Sequence, residues 1–207
     1  RNLLGTYKNP NDIIIYFNFL KTLNKEDVIN GCAEIIKYSL IMDIQLFEYL
    51  EKNTINIFPN LNITMIQSVI QKCIDHKTNI VKQDQYDINI RNILNFGHTV
   101  GHALESYYKF KMPHGKAILY GMMVASYLSK QENLLSEKQY NQIVNLIKIF
   151  DLPALNDLDI KKIMALIDND KKNIGNELTY ILLKNIGEAI IKKKYNKKLI
   201  KEGLRIL

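Results

Sequence analysis

The chain has 207 residues, 47% of them hydrophobic and 24% charged, which is enough for one sizeable core or two small ones in a globular protein. A net charge of +7 invites a nucleic-acid reading, but much of the excess lies in Lys192-Lys193-Lys194-Tyr195-Asn196-Lys197-Lys198 and onward to Lys201 and Arg205, a run that reads as a solvated face. No apolar run reaches bilayer length, no signal-peptide pattern is present, and Cys32 and Cys73 sit far apart in helical patterns, so the expectation is a cytoplasmic protein with buried thiols that binds neither membrane nor nucleic acid.

In chain order, Arg1 to Tyr7 opens with neither an initiator methionine nor a polar tail, like the interior of a longer sequence. Asp12-Ile13-Ile14-Ile15-Tyr16-Phe17 is a β-branched and aromatic run leaving the turn Asn9-Pro10-Asn11, and predicts a short strand. From Asn24 the period becomes helical. Val28, Cys32, Ile35, Ile36, Leu40 and Ile41 recur at three- and four-residue steps, continuing through Leu46, Phe47 and Leu50, with Asn24 as N-cap and Asp27 in the first turn. After the turn signal Pro59-Asn60-Leu61-Asn62, a second long helix fits Met65 to Val81. Further helices are expected from His98 to about Tyr108, Gly115 to Gln131, Glu137 to Phe150 and Ile160 to Ile167. Leu178 to Leu183 and Ala189 to Ile191, joined across Gly187, predict a small hairpin, and Asn196 to Leu204 a last helix. The fold class is therefore mainly α, with a short N-terminal strand and a small β-hairpin, in one domain over residues 1–207.

Three of the four histidines, His98, His102 and His114, fall within seventeen residues. His98 and His102 are four apart, so a helix puts both imidazoles on one face, and His114 follows one short connection later. The stretch reads as a metal or general acid/base site. The zinc-protease spacing is not met, because Thr99 stands where a general-base glutamate would follow the first histidine. Gly97 and Gly101 precede the two histidines and clear one helix face for close approach by another helix or a ligand, at a cost of about 1 kcal/mol in helix propensity at Gly101.

Glu34 and Lys37 share one face of the first long helix, within Gly31-Cys32-Ala33-Glu34-Ile35-Ile36-Lys37-Tyr38. Two readings stand open: an exposed intrahelical ion pair, or a carboxylate in an apolar stretch that burial requires to be paired or metal-bound. Lys77, beside Asp75 and His76, reads from its own surroundings as a surface lysine.

The segments Gly31–Tyr38, Arg91-Asn92-Ile93-Leu94-Asn95-Phe96-Gly97-His98-Thr99-Val100-Gly101-His102-Ala103-Leu104-Glu105 and His114-Gly115 occur in the order and approximate spacing of 3-dehydroquinate synthases. The opening Asn2-Leu3-Leu4-Gly5-Thr6-Tyr7, the Leu20-Lys21-Thr22-Leu23 segment, Asp170-Lys171-Lys172 and Ile186-Gly187 also resemble that family. The resemblance covers essentially the whole chain but only the family's helical C-terminal portion. It implies a partner in an N-terminal Rossmann-like NAD-binding domain that these residues do not contain, and a homodimer.

By the same resemblance, Glu34, His98 and His114 are the metal ligands, for Zn2+ or Co2+, and His102 is a proton-handling group at the substrate. Lys37, Lys77, Arg91, Asn95 and one of Lys171 or Lys172 contact the phosphate, carboxylate and hydroxyls of a sugar-acid phosphate. Asn2 sits at the interdomain site. Phe19, Leu20, Lys21 and Thr22 touch NAD, and Arg1 stands where the family usually has a lysine near the cofactor. Two departures are visible: Lys116 replaces the usual glutamate after His-Gly, and Asp84-Gln85-Tyr86-Asp87 replaces an Asp-Glu-x-Glu run.

The implied activity converts a heptulosonate phosphate to 3-dehydroquinate in aromatic amino-acid biosynthesis. A His/His/Glu shell leaves metal positions open for vicinal hydroxyls, a neutral imidazole shuttles a proton, and lysines with an arginine bind phosphate and carboxylate. The rivals are another sugar-phosphate cyclase such as 2-deoxy-scyllo-inosose or valiolone synthase, an iron-dependent polyol dehydrogenase, and a catalytically inert helical module that binds anions.

Overall fold

Asn24 accepts the Asp27 N–H at 2.9 Å and starts α1 (Lys25–Met42). The helical pattern continues to Leu50 in sequence, yet the helix breaks at Asp43, whose backbone turns to φ −145° and ψ 92°. The cause is local competition: the Asp43 carboxylate accepts the Leu46 N–H at 2.8 Å and so caps a new helix, α2 (Ile44–Ile57). Its other oxygen lies 2.8 Å from His76 Nε2 on α3 (Ile63–Gln83), tying the break to its neighbour. The remaining elements are α4 (His98–Tyr107), α5 (His114–Gln131), α6 (Glu137–Lys148), α7 (Ile160–Lys172), β1 (Tyr180–Asn185), β2 (Glu188–Lys192) and α8 (Lys197–Leu204).

The computed structural model describes residues 10–57, 62–172, 179–192 and 196–207, without the side chains of 55–56 and 170–172. Several expected features lie outside the described residues: the opening segment with Arg1 and Asn2, the Pro59–Leu61 part of the turn, Leu178 at the hairpin's start, and Lys193–Tyr195 of the basic run. None of the described helices is long and apolar enough to cross a membrane.

The N-terminal strand is a correction. Residues 12–16 form no strand, and Phe17–Thr22 winds into a 3-10 turn instead. The only sheet among the described residues is the β1–β2 pair, so the Ile13–Ile15 run has no ladder to join, and Ile14 is 93% exposed. The second 3-10 segment, Ile90–Asn95, has too short a pattern to stand out in the sequence.

α5 is the central element. Every residue from Ala117 to Ser126 is buried, the mark of a helix with apolar surface all round, and α1, α4, α6, α8 and β1 pack about it. The hairpin closes across Ile186-Gly187, where Gly187 takes φ 84° and its N–H donates to the Leu40 carbonyl of α1 at 2.8 Å. Cys32 and Cys73 are both free and buried, as their helical settings suggested.

Gly97 and Gly101 do clear a face, and α5 fills it. A Cβ on Gly101 would sit 2.6 Å from Ile118 Cδ1, and one on Gly121 only 1.9 Å from the Gly97 carbonyl oxygen. The latter neighbour is backbone and cannot rotate away. Gly121→Ala is therefore expected to destabilise by about 1–3 kcal/mol or more, the cost of overpacking. Thermal unfolding followed by circular dichroism reads this as about 2–4 °C per kcal/mol for a chain of this size. An unchanged Tm would mean that the crossing is looser than the structure has it.

Candidate metal centre

Three helices each deliver one donor to a common point. Glu34 lies in the second half of α1, while His98 and His114 are the first residues of α4 and α5. Gly97 makes the sharp entry to α4 with φ 78°, where a Cβ would meet Met122 Cγ at 2.6 Å. His98 Nδ1 lies 3.1 Å from the Phe96 carbonyl, which can only accept, so Nδ1 carries the hydrogen and Nε2 is left as the donor atom. His114 Nδ1 lies 3.1 Å from Glu105 Oε2 with the same consequence. Both Nε2 atoms approach Glu34 Oε1, at 3.9 Å from His98 and 3.8 Å from His114.

One donor atom from each of Glu34, His98 and His114 falls within 4.8 Å of the other two. Around a tetrahedral zinc, neighbouring ligand atoms are about 3.4 Å apart, so the two histidine–Glu34 separations need to shorten by about half an ångström to close onto an ion. The donor chemistry and the spacing both fit a divalent ion of the zinc type. His102 stands beside this set: its ring centroid is 5.3 Å from that of His98 and 6.2 Å from that of His114. The i, i+4 pairing puts the two α4 histidines on one face, yet the convergent triad draws on α1 and α5 as well.

The two Glu34 oxygens are divided. Oε1 faces the histidines, and Oε2 accepts from Lys37 Nζ at 2.5 Å. Burial alone would push the Glu34 carboxyl up, but the neighbouring His114 ring and the charge and hydrogen bond of Lys37 outweigh it and hold it at about 2. Burial pushes His98 down to about 4, with Lys37 acting in the same sense, so the ring is neutral at neutral pH. His114 is raised, chiefly by the nearby Glu34 carboxylate and then by Glu105, against burial. Lys37 is 4% exposed and lowered by that burial, although Glu34 opposes the shift. The Glu34–Lys37 pair is thus half of each sequence reading: the partners are three apart on one helix, and the lysine is buried.

Next to Glu34 opens a largely apolar cleft between α1, α3 and the 3-10 turn, lined in part by Leu20, Leu23, Tyr38, Ile66, Ile70 and Lys77. Lys77 is exposed at its rim. Among the expected cofactor contacts, Leu20 lines the cleft; Phe19, Lys21 and Thr22 are exposed on the same turn, with Thr22 Oγ1 donating to the Phe19 carbonyl at 2.9 Å. Asn95 is exposed at the end of the 3-10 segment, two residues before Gly97. Arg91 is half-buried, and its Nη1 donates to the Gln85 carbonyl at 3.0 Å. Lys171 and Lys172 close α7, their side chains outside the described residues, and Arg1 and Asn2 lie outside them altogether.

Sequence reasoning assigned no role to three residues that build this region. Asp84 ends α3 and accepts the N–H groups of Ile88, Asn89 and Arg91 at 3.0, 2.7 and 3.0 Å, folding the loop that carries Arg91. Those bonds, from Ile88 first, hold its carboxyl below the ordinary range. Asn30 accepts the Gly115 N–H at 2.7 Å, and Glu105 meets His114. Glu105 could have been found as a carboxylate three residues past His102 in an apolar run; nothing in the sequence singles out Asn30.

Fold and donor set together define a helical domain that gathers a glutamate and two histidines from three helices at one point, beside a cleft edged with lysine. The sequence profile of the family described as 3-dehydroquinate synthase C-terminal matches residues 31–173. The chain belongs to that family. A 3-dehydroquinate synthase of Thermoanaerobacter pseudethanolicus is 36% identical over 191 residues, spanning 91% of this chain and 53% of the relative. One of Clostridium tetani is 34% identical over 205 residues, spanning 99% of this chain and 54% of the relative. The chain thus covers about half the length of these relatives. Among solved structures, the 2-epi-5-epi-valiolone synthase of Streptomyces hygroscopicus subsp. jinggangensis 5008, with NAD+ and Zn2+ bound, superposes with a TM-score of 0.90 at 23% identity, over all of this chain and 58% of that one. A 2-deoxy-scyllo-inosose synthase complexed with carbaglucose-6-phosphate, NAD+ and Co2+ gives 0.84 at 25% identity, again over all of this chain and 58% of that one.

Proposed function

We propose that this chain is the metal- and substrate-binding part of a 3-dehydroquinate synthase, a carbon–oxygen lyase that converts 3-deoxy-D-arabino-heptulosonate 7-phosphate to 3-dehydroquinate with loss of phosphate. The observation that carries the reading is the convergence of Glu34, His98 and His114, from three helices of a family member, beside Lys37 and Lys77. The relatives' further length corresponds in this reading to a preceding NAD-binding domain, with the 3-10 turn at Phe19, Leu20, Lys21 and Thr22 facing the cofactor. Asn2 and Arg1 belong to the same interdomain region. A homodimer in the cytoplasm, serving the shikimate pathway, completes the assignment.

Glu34, His98 and His114 would hold Zn2+ or Co2+, and Glu34 Oε2 remains bonded to Lys37, which fixes the carboxylate's rotation. Bound metal would polarise a substrate hydroxyl while NAD accepts and returns a hydride. The chain's own residues do the rest. His102, one turn along α4 from His98, is placed to move the proton of the hydroxyl that is oxidised. Lys77 at the cleft, with Lys37 buried beside Glu34, sets positive charge where a phosphate or carboxylate is drawn in. Arg91 adds a planar fork for one of these anions once its contact to Gln85 is exchanged. Asn95 supplies an amide for a hydroxyl, and Lys171 or Lys172 a further cation from α7. The apolar cleft wall keeps water from the reacting carbon.

The test is an assay of the protein translated together with its upstream sequence, supplied with NAD and zinc or cobalt, following phosphate release. The heptulosonate phosphate should be turned over in preference to glucose 6-phosphate, the substrate type that an inosose synthase would favour. Arg91→Lys keeps the charge but forfeits the fork, and should raise KM or lower kcat by about tenfold, one charge-assisted bond of about 1.5–3 kcal/mol partly retained. Neutralising Lys192, Lys193 and Lys194 should leave turnover unchanged. Preference for the hexose phosphate, or a crippled tail variant beside an unaffected Arg91→Lys, would sink the assignment.

A further inference from the structure

We propose that Glu105 is a positioning residue of the metal centre, holding His114 in the tautomer that presents Nε2 to Glu34 and His98. The proposal rests on the reading of those three residues as metal ligands only for its metal-binding arm. Glu105 is 3% exposed and lies on α4 between buried Leu104 and the helix's last turn. A carboxylate so placed must be satisfied, and its Oε2 lies 3.1 Å from His114 Nδ1. A carboxylate oxygen only accepts, so the hydrogen between them sits on Nδ1. The Nε2 lone pair then points out of the opposite side of the ring, where Glu34 Oε1 lies 3.8 Å away.

His114 needs this help because its own helix gives it little. It is the first residue of α5, and the preceding Pro113 makes no side-chain cap. Asn30 of α1 takes the Gly115 N–H at 2.7 Å and so fixes the backbone. The ring packs against those of His98 and His102, and its Nδ1 is hydrogen-bonded to Glu105. Carboxylates in this relation to a ligating imidazole also raise its basicity as a donor.

Glu105 is not placed to be a fourth ligand in the same shell. It meets the Nδ1 side of His114, whereas Glu34 and His98 gather on the Nε2 side, and one ion cannot occupy both. Glu105, His102 and His114 do form a second group whose donor atoms lie within 4.8 Å of one another. Glu105 thus has a carboxylate oxygen within 4.8 Å of a ring nitrogen of both His102 and His114.

The experiment records nitrogen-15 spectra of the histidine side chains in the metal-free chain, above the imidazole titration range, with His114 assigned from a His114→Gln variant. The expected parent state of His114 is the Nδ1–H tautomer. Glu105→Ala should move it toward the Nε2–H form that free imidazole prefers, whereas Glu105→Gln, whose amide oxygen still accepts, should largely retain it. Zinc affinity, measured by competition with a chelator, should fall by about 10–100-fold in Glu105→Ala and by less in Glu105→Gln. If Glu105→Ala does not fold, the isosteric Glu105→Gln and the parent spectrum still decide. A parent His114 in the Nε2–H form, or a tautomer indifferent to Glu105→Ala, overturns the proposal even if both variants lose thermal stability. Zinc uptake absent from the parent itself would instead overturn the metal reading, and the tautomer result would stand on its own.

Discussion

Replacing Glu34, His98 or His114 by alanine is expected to abolish stoichiometric zinc binding, because three protein donors are the minimum for a tight catalytic site. Elemental analysis after gel filtration, backed by calorimetric titration, measures it. His102→Ala should keep the metal, and equal loss there would mean that the ligands are wrongly assigned. Glu34→Ala carries a second penalty. It strips the partner from Lys37, whose side chain is only 5% exposed, while that of Glu34 is 37% exposed. Breaking a fully buried pair costs about 3–5 kcal/mol, and the exposure of Glu34 brings the expectation here to about 2 kcal/mol.

The same metal binding should depend on pH through one ring above all. His114 is raised from the ordinary imidazole value by the Glu34 carboxylate and then by Glu105, whereas burial lowers His98 to about 4. A proton on His114 competes with the metal, so affinity should weaken as pH falls through its raised titration range. His98 adds to the loss only in strong acid. The Glu34 carboxyl, held at about 2, stays ionised throughout. Calorimetry in buffers of different ionisation enthalpy should therefore find protons released on binding near pH 7, fewer as pH rises. An affinity that is flat from pH 8 to pH 5 would contradict this assignment of charge.

The largest catalytic effect is expected from His102→Ala in the longer enzyme: a fall in turnover of about 100- to 10,000-fold, the usual contribution of a positioned acid/base, with metal content unchanged. The ring lies 5.3 Å from that of His98, close enough to serve a substrate atom bound at the metal without occupying the shell. Steady-state kinetics with parallel metal analysis separates the two effects. Unchanged turnover would move proton handling to another group, of which buried Lys37 is the nearest candidate.

Much of the fold was legible because its signals are local. Asn24 and Asn62 cap helices as their type suggests, and the three- and four-residue steps of α1 and α3 follow from packing a helix on a core. The failures also have local causes. Ile13-Ile14-Ile15 carries strand propensity with no strand to pair with among the described residues, and Asp43 interrupts a continuous apolar pattern with a capping bond that periodicity does not register. The donor set was legible only in part. Clustered histidines point to a site, yet spacing nominates His98 with His102, and the contribution of Glu34 arrives from sixty-four residues earlier in the chain. Glu105 and Asn30 escaped because their roles consist of contacts across helices, which no one-dimensional pattern contains.

The bond from Gly115 N–H to Asn30 spans 85 residues, and it begins the helix on which His114 sits. Left to itself that first turn has a proline before it and no local cap, and helices of the length of α4 are marginal in water. A peptide cut from residues 95–116 would carry all three clustered histidines and still lack the order that brings them together. The motif is consequently not portable. Grafted onto another scaffold it would transfer the residues without their arrangement, because part of what starts its last helix is supplied by an asparagine in α1.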